Sequence, residues 1–394
     1  MDISIDPGIC PHDEFCGGCV YQGVPYEEQL AIKEKQVRDL MAKNGIRPEK
    51  FDPIAPCPRQ YAYRNKMEYT FGDLVKDGEM TLGMHQKGRF MSIVTVDKCM
   101  LVHEDMNKLL SATLEFCKRH GYSKYHKRSH TGLMRNLVIR IGERTGQILV
   151  NIVTTSETEF DEKGYVDLVL SMDLEHSVNG ILHTVNDDLS DAIKCDSFSV
   201  LYGKDYYMER IMGLDFKVGA FSFFQTNISA VERLYSEAVS LIDDVSGKVV
   251  FDLFCGTGTI TQTLAGKAKK AIGVEIVQDA VDSAVDNAKM NGLENCEFIC
   301  GDVLKVLPSL YEKPDVIVVD PPRAGIHPKV LPMIASYGTD EILYISCNPK
   351  TLFSDLAVLK EHGYAVKYVK PYDNFPMTKH CECVCLLSGA WLLL

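Results

Sequence analysis

In the last 170 or so residues, short apolar runs alternate with amphipathic stretches. Runs at 249–254, 271–276, 296–300, 316–319 and 342–345 read as buried strands. A helix is expected after the first run. Others are expected at 278–290 and at 350–362, where Pro349 suits the first helical position. Two more strands are expected at 365–369 and 383–387. No helix separates them, so they should pair antiparallel. Alternation of this kind predicts an α/β domain with a mostly parallel sheet covered on both faces. The run at 342–345 ends at Cys347, and Asn348-Pro349 then forces a turn. The C-terminal lip of a strand is where such folds place ligands.

The pattern differs upstream. At 25–44, Leu30, Ile32, Val37, Leu40 and Met41 form one apolar side of a predicted helix, and Gly45 stops it. Residues 63–71 alternate like a half-exposed strand, and 136–141, 147–153 and 199–201 are further strand candidates. The expected organisation is a cysteine-bearing segment with a helix (1–50), a central β-rich domain (51–215) and the α/β domain (216–394).

Composition narrows the class. Apolar content is 46% and charged content 24%, as in ordinary globular proteins. No apolar run is long enough to span a bilayer, and the first residues lack a signal peptide's basic start and apolar core. A cytoplasmic, monomeric protein without membrane contact is expected. Its fourteen cysteines then argue for metal or catalysis rather than disulfides. The net charge of -12 argues mildly against nucleic acid. Between Cys117 and Arg144, however, eight Lys or Arg face one acid, Glu143, with Tyr122, Tyr125 and His126 interleaved. That stretch is a candidate phosphate-binding and base-stacking stripe.

Three groups of residues carry candidate chemistry. Cys10, Cys16 and Cys19 are spaced C-x5-C-x2-C, and Gly17 and Gly18 allow a tight backbone around a metal centre. Thiolates select zinc or iron–sulfur. Cys99 is the first candidate for a fourth ligand, and Cys57 the second. The spacing is not the C-x3-C-x2-C of radical enzymes. Next, Asp252-Leu-Phe-Cys-Gly256-Thr-Gly258 makes a glycine turn at a strand end, and Glu275 ends the next strand, where an acid binds ribose hydroxyls. Position 261 is Thr, so the third glycine of a dinucleotide site is missing. This favours S-adenosylmethionine over a nicotinamide cofactor and argues against a dehydrogenase. Finally, Asp320-Pro-Pro-Arg323 ends the fourth strand. Enzymes that methylate exocyclic amines usually carry a tyrosine in the place of Arg323, so an amine target is not expected.

Five ordered motifs resemble those of the RNA (uracil-5-)-methyltransferases of the RumA/TrmA type. They are Phe224-Gln-Thr-Asn227, Asp252-Leu-Phe-Cys-Gly-Thr-Gly258, Asp320-Pro-Pro-Arg323, Ser346-Cys-Asn-Pro349 and Met377-Thr-Lys-His-Cys-Glu382. The amino-terminal cysteines resemble the [4Fe-4S] site of the RumA branch. The resemblance implies a class I S-adenosylmethionine-dependent methyltransferase domain (Rossmann-like) with an iron–sulfur segment and a central β-rich RNA-binding domain. It implies that Gln225, Phe254, Gly256, Glu275 and Asp320 line the donor site, and that Cys10, Cys16, Cys19 and Cys99 hold the cluster. Cys347 would be the nucleophile and Glu382 the base, because carbon 5 of uracil attacks a methyl group only after a thiolate adds to carbon 6. The implied substrate is 23S rRNA, with tRNA as the alternative. Many relatives carry a small RNA-binding TRAM domain before the cluster. The sequence starts nine residues ahead of Cys10, so no such domain is expected. A non-catalytic RNA-binding factor is the competing class; such a protein needs neither Cys347 nor Glu382.

Overall fold

The computed structural model describes residues 9–190, 193 and 195–389. In chain order it contains helix α1 (Tyr26–Lys43), β1 (Lys50–Phe51), β2 (Lys66–Asp73), β3 (Met80–Gln86), β4 (Arg89–Thr95), α2 (Glu104–Arg119), β5 (Met134–Ile141) and β6 (Gln147–Thr154). Next come α3 (Glu162–Leu170), β7 (Ser177–Val185), β8 (Ser197–Gly203), β9 (Tyr206–Ile211), β10 (Leu214–Gly219) and α4 (Ile228–Leu241). The remainder alternates: β11 (Val249–Leu253), α5 (Thr259–Ala265), β12 (Lys270–Glu275), α6 (Gln278–Met290), β13 (Cys296–Cys300), α7 (Val303–Val306), β14 (Val316–Val319), α8 (Val330–Ser336), β15 (Glu341–Ser346) and α9 (Pro349–Glu361). Strands β16 (Tyr364–Tyr372) and β17 (Glu382–Gly389) close the chain. No helix among the described residues is long and apolar enough to cross a membrane.

The described residues divide into two units. One comprises the chain up to Val24 with Arg59–Arg210 and Lys217–Phe221; the other comprises Pro25–Pro58, Ile211–Phe216 and the chain from Ser222 onward. The stretch 1–50 therefore does not act as one segment. Its cysteines pack with the central unit, whereas α1 packs with the α/β unit because its apolar side (Val37, Met41) joins the core around α9 and β16.

In the first unit a seven-stranded sheet runs β4-β3-β2-β5-β6-β7-β8. Its core gathers Tyr69, Leu109, Leu137, Val150 and Tyr165. Strands β3, β4 and β7 and helix α2 were not expected from the sequence. Helix α2 had a usable signal: Glu104 and Asp105 in its first turn and Lys118 and Arg119 in its last complement the helix dipole. The expected basic stripe is only partly a surface. Arg135 and Arg140 lie on β5, which is buried along most of its length, and both are buried. Arg135 donates to the backbone carbonyls of Asn186, Asp188 and Ser190. Lys118 pairs with Glu79 at 2.7 Å and Lys124 with Asp73 at 3.1 Å.

The second unit holds an eight-stranded sheet in the order β1-β16-β17-β15-β14-β11-β12-β13. All pairs are parallel except those of β17, which runs antiparallel to both β15 and β16. The expected antiparallel pairing of the last two strands is present, and β17 is also wedged beside β15. From β11 the chain winds outward through β12 and β13, then crosses back to β14. The switch point between β11 and β14 is where ligands bind in open sheets of this type.

Candidate active site

Strand register assembles the site. Leu253 pairs with Val274 on one side and Val319 on the other. The next residues along these parallel strands, Phe254, Glu275 and Asp320, therefore stand level at one edge of the sheet. On the other side of β14, Ser346 of β15 pairs with Cys383 of antiparallel β17. One step further puts Cys347 opposite Glu382, on strands about 4.8 Å apart.

Glycines shape the donor side. Phe254 adopts a positive φ of 70°, rare for a bulky residue and typical of functional sites. Gly258 caps α5 at φ 77°, and a Cβ there would meet the Phe298 ring at 2.7 Å. A Cβ on Gly256 would meet nothing, so the turn opens onto free space. Glu275 accepts hydrogen bonds from the amides of Gly256, Ile276 and Val277. Asp252 binds the Thr261 hydroxyl through one oxygen; its other oxygen is buried without a hydrogen-bond partner among the described residues.

Gln225 precedes α4, and its amide donates to the Tyr235 hydroxyl at 2.9 Å. Tyr235 also stands near Asp320, close enough for each to shift the other's proton affinity. Burial, and then Asp320, hold this tyrosine protonated. Tyr235 belongs to no motif and was missed in the sequence.

The acids of the site are held unusually neutral. Burial pushes Asp252 up to about 7, and burial with the Asp252 charge does the same for Asp320. Glu382 rises to about 8 through burial, with Asp320 adding and Arg323 opposing. Backbone amides at the start of α9 favour a thiolate at Cys347. Yet burial first, then Glu382 and Asp320, push this thiol up to about 11, against the lowering effect of Arg323. Burial is the larger cause, and the two carboxyls add to it.

Side-chain anchors hold the loops that follow β14, β15 and β16. Asn348 caps α9, accepting from the Lys350 amide, and ties to Arg323 by donating to its carbonyl at 2.8 Å. This accounts for Ser-Cys-Asn-Pro and Asp-Pro-Pro-Arg occurring together. Lys33 of α1, fully buried, donates to Asp373 at 2.6 Å and to the Phe375 carbonyl at 3.1 Å. Gln29 accepts from the amide of Met377, which has a positive φ of 64°. The segment leading into Glu382 is thus fastened to a helix some 340 residues upstream. Lys33→Met leaves Asp373 buried without its cation. We expect it to cost about 3–5 kcal/mol of folding stability, read from the denaturant midpoint. Adding Asp373→Leu should recover most of that loss; an equal loss in the double variant would contradict this account.

Four other cysteines gather in the first unit. Cys10, Cys16, Cys19 and Cys99 are half-buried and free. Burial pushes Cys19 up to about 12, with Cys99, Cys16 and Cys10 adding to it, so the four thiols are neighbours. His12 joins the two segments, accepting from the Lys98 amide at 3.1 Å. Gly17 donates to the His85 carbonyl, which a Cβ on Gly17 would approach to 2.8 Å. Asn107 clamps Cys99 by accepting from its amide and donating to its carbonyl. Cys57 belongs to the other unit, where its sulfur accepts from Asn227.

Comparison with known proteins bears on this arrangement. A family model described as tRNA (Uracil-5-)-methyltransferase matches residues 309–390, and one described as a methyltransferase domain matches residues 250–328. A relative from Clostridium tetani, described as an uncharacterized RNA methyltransferase, is 48% identical across 95% of this chain and 82% of its own. One from Clostridium acetobutylicum, described in the same words, is 47% identical across 96% of this chain and 83% of its own. Among solved structures, the tRNA (uracil-54, C5)-methyltransferase of Pyrococcus abyssi in complex with S-adenosyl-L-homocysteine aligns at a TM-score of 0.77 and 26% identity, over 94% of this chain and 86% of that one. With a class I methyltransferase fold, glycine turn, thiol and carboxyls on one sheet edge, the chain belongs to the RNA (uracil-5-)-methyltransferase family and is an S-adenosylmethionine-dependent RNA methyltransferase.

Proposed function

We propose that this protein methylates carbon 5 of a specific uridine in 23S rRNA through a covalent adduct on Cys347, with Glu382 as the base. The observation that carries the reading is the β15–β17 register, which sets thiol and carboxyl on adjacent strands. The Cys347 sulfur adds to carbon 6 of the uracil, and carbon 5 gains enolate character. S-adenosylmethionine supplies an electrophilic methyl group on a sulfonium. Carbon 5 takes that methyl and S-adenosylhomocysteine leaves. Glu382 removes the proton from carbon 5, the carbon 6–sulfur bond breaks, and the thiolate is restored.

The donor fits the residues present. The buried unpartnered oxygen of Asp252 and the acids Asp320 and Glu382 suit a cation. Gly256 leaves room at the turn, Glu275 stands level for ribose hydroxyls, and the exposed side chains of Ile276 and Val277 offer apolar surface to a purine. Gln225 and Phe254 complete this donor site.

Cys10, Cys16, Cys19 and Cys99 would hold a [4Fe-4S] cluster, as the donor set of four neighbouring thiols suits. Such a cluster would supply structural cross-linking of the two cysteine segments. Anaerobically purified protein is expected to be brown, with iron and sulfide. Cys99→Ser should lose the colour and Cys57→Ser keep it. A colourless protein holding one zinc would contradict the assignment.

A second substrate, tRNA, is favoured by the Pyrococcus abyssi enzyme, whose substrate is tRNA. Incubating separated 23S rRNA and tRNA with methyl-labelled S-adenosylmethionine, then digesting to nucleosides, tests the choice. Labelled 5-methyluridine from 23S rRNA alone is expected; label from tRNA alone would move the assignment.

A further inference from the structure

A cavity of about 320 Å³ opens onto Cys347. Its walls include Val37 and Leu40 of α1, Arg323, Lys350 at the start of α9, and Lys379 of the Met-Thr-Lys-His-Cys-Glu motif. Neither Glu382 nor any residue of the donor site lines it. No lining residue is acidic.

Four cations, Lys33, Arg323, Lys350 and Lys379, line this cavity in a chain of net charge -12. Of the cations that line it, Lys33 is committed to Asp373. Among the described residues, Arg323, Lys350 and Lys379 have no carboxylate within ion-pair distance. Arg323 points its guanidinium toward His380 at 3.4 Å and lies beside the thiol. Three unneutralised cations around an acid-free cavity favour an anion from outside the chain. Half-buried Leu40 gives the same ligand a non-polar face to rest on.

We propose that this cavity binds the RNA sugar–phosphate backbone next to the target uridine, with Arg323, Lys350 and Lys379 taking its phosphates. The proposal rests on Cys347 as the point where the base reacts. It moves the principal phosphate contact away from the 117–144 stripe, where Arg135 is spent on carbonyls and Arg140 is buried. Phosphate contacts fix register, so the site would settle which nucleotide reaches the thiol.

The test uses the full chain and a short single-stranded RNA oligonucleotide containing uridine. Its binding constant is measured across a range of salt concentrations. Each single-strand phosphate contact contributes about 0.7 to the slope of log affinity against log salt, so Lys350→Ala with Lys379→Ala should flatten that slope by about 1.4. Arginine at both positions should preserve it. Lys267→Ala with Lys269→Ala, exposed lysines preceding β12 at the opposite edge of the sheet, should leave it unchanged. An unaltered slope in the first variant, or an equal loss in the control, would overturn the site. Displacement of the oligonucleotide by inorganic phosphate at constant ionic strength would reassign the cavity to a free anion, and so overturn the RNA assignment. Release of tritium from carbon 5 of uridine by the unmodified protein is scored separately. A flattened slope without release would sink the uracil chemistry and keep the site; release without a flattened slope would do the reverse.

Discussion

Glu382→Gln is expected to arrest the enzyme after methyl transfer, with the RNA still bound covalently to Cys347. The amide cannot accept the carbon 5 proton, and without that step the sulfur cannot be expelled. Positioned bases contribute roughly 10²–10⁴-fold, so turnover should fall by that range while the first half-reaction survives. The arrested species should withstand denaturing electrophoresis and carry label from the donor methyl. The carboxyl of the unmodified protein sits at about 8. Below that pH it is mainly protonated and unable to accept, so release of the product should accelerate as pH rises through about 8. Normal turnover of the glutamine variant, or an adduct that persists when Cys347 is also replaced, would show that the base has been wrongly assigned.

Cys347→Ala should abolish methylation and leave S-adenosylmethionine binding close to that of the unmodified protein, because no donor-site residue changes. The state of the thiol gives a second reading. With its value raised to about 11, little thiolate exists at neutral pH in the free protein. Alkylation of Cys347 by iodoacetamide, followed by mass, should therefore rise about tenfold per pH unit up to that region. The Glu382 charge is the largest neighbour effect raising the thiol, so Glu382→Gln should shift the alkylation profile to lower pH. A plateau below pH 8 in the unmodified protein would mean that Cys347 is already activated before RNA arrives.

Local signals in the sequence are strong where one residue decides one structure. The apolar run before Cys347 is β15, Pro349 opens α9, and Asn348 caps it. Strand β14 ends one residue before Asp320, as its four consecutive valine and isoleucine residues predict. The glycine turn is legible because only glycine tolerates both the φ of position 258 and the nearby Phe298 ring. Pairing across distance is not legible in this way. Nothing local says that β17 inserts between β15 and β16, although that insertion sets Glu382 against Cys347. Lys33 reads as one more charge on an amphipathic helix, yet it is fully buried against Asp373. Tyr235 looks like an ordinary helical aromatic and comes to hold Gln225 near Asp320 only once α4 packs. The basic run at 117–144 misleads for the same reason. Charge along the chain does not reveal that β5 turns Arg135 and Arg140 inward. The raised thiol of Cys347 likewise depends on carboxyls supplied by other strands.

The most direct measurement is tritium release from RNA labelled at carbon 5 of uridine, followed alongside incorporation of the donor methyl. Every step assigned to Cys347 and Glu382 serves to exchange that one hydrogen for a methyl group. The account predicts one tritium released to water per methyl incorporated by the unmodified protein, and none with Cys347→Ala. Methyl incorporation without tritium release would place the methyl on another atom and contradict the uracil carbon 5 chemistry.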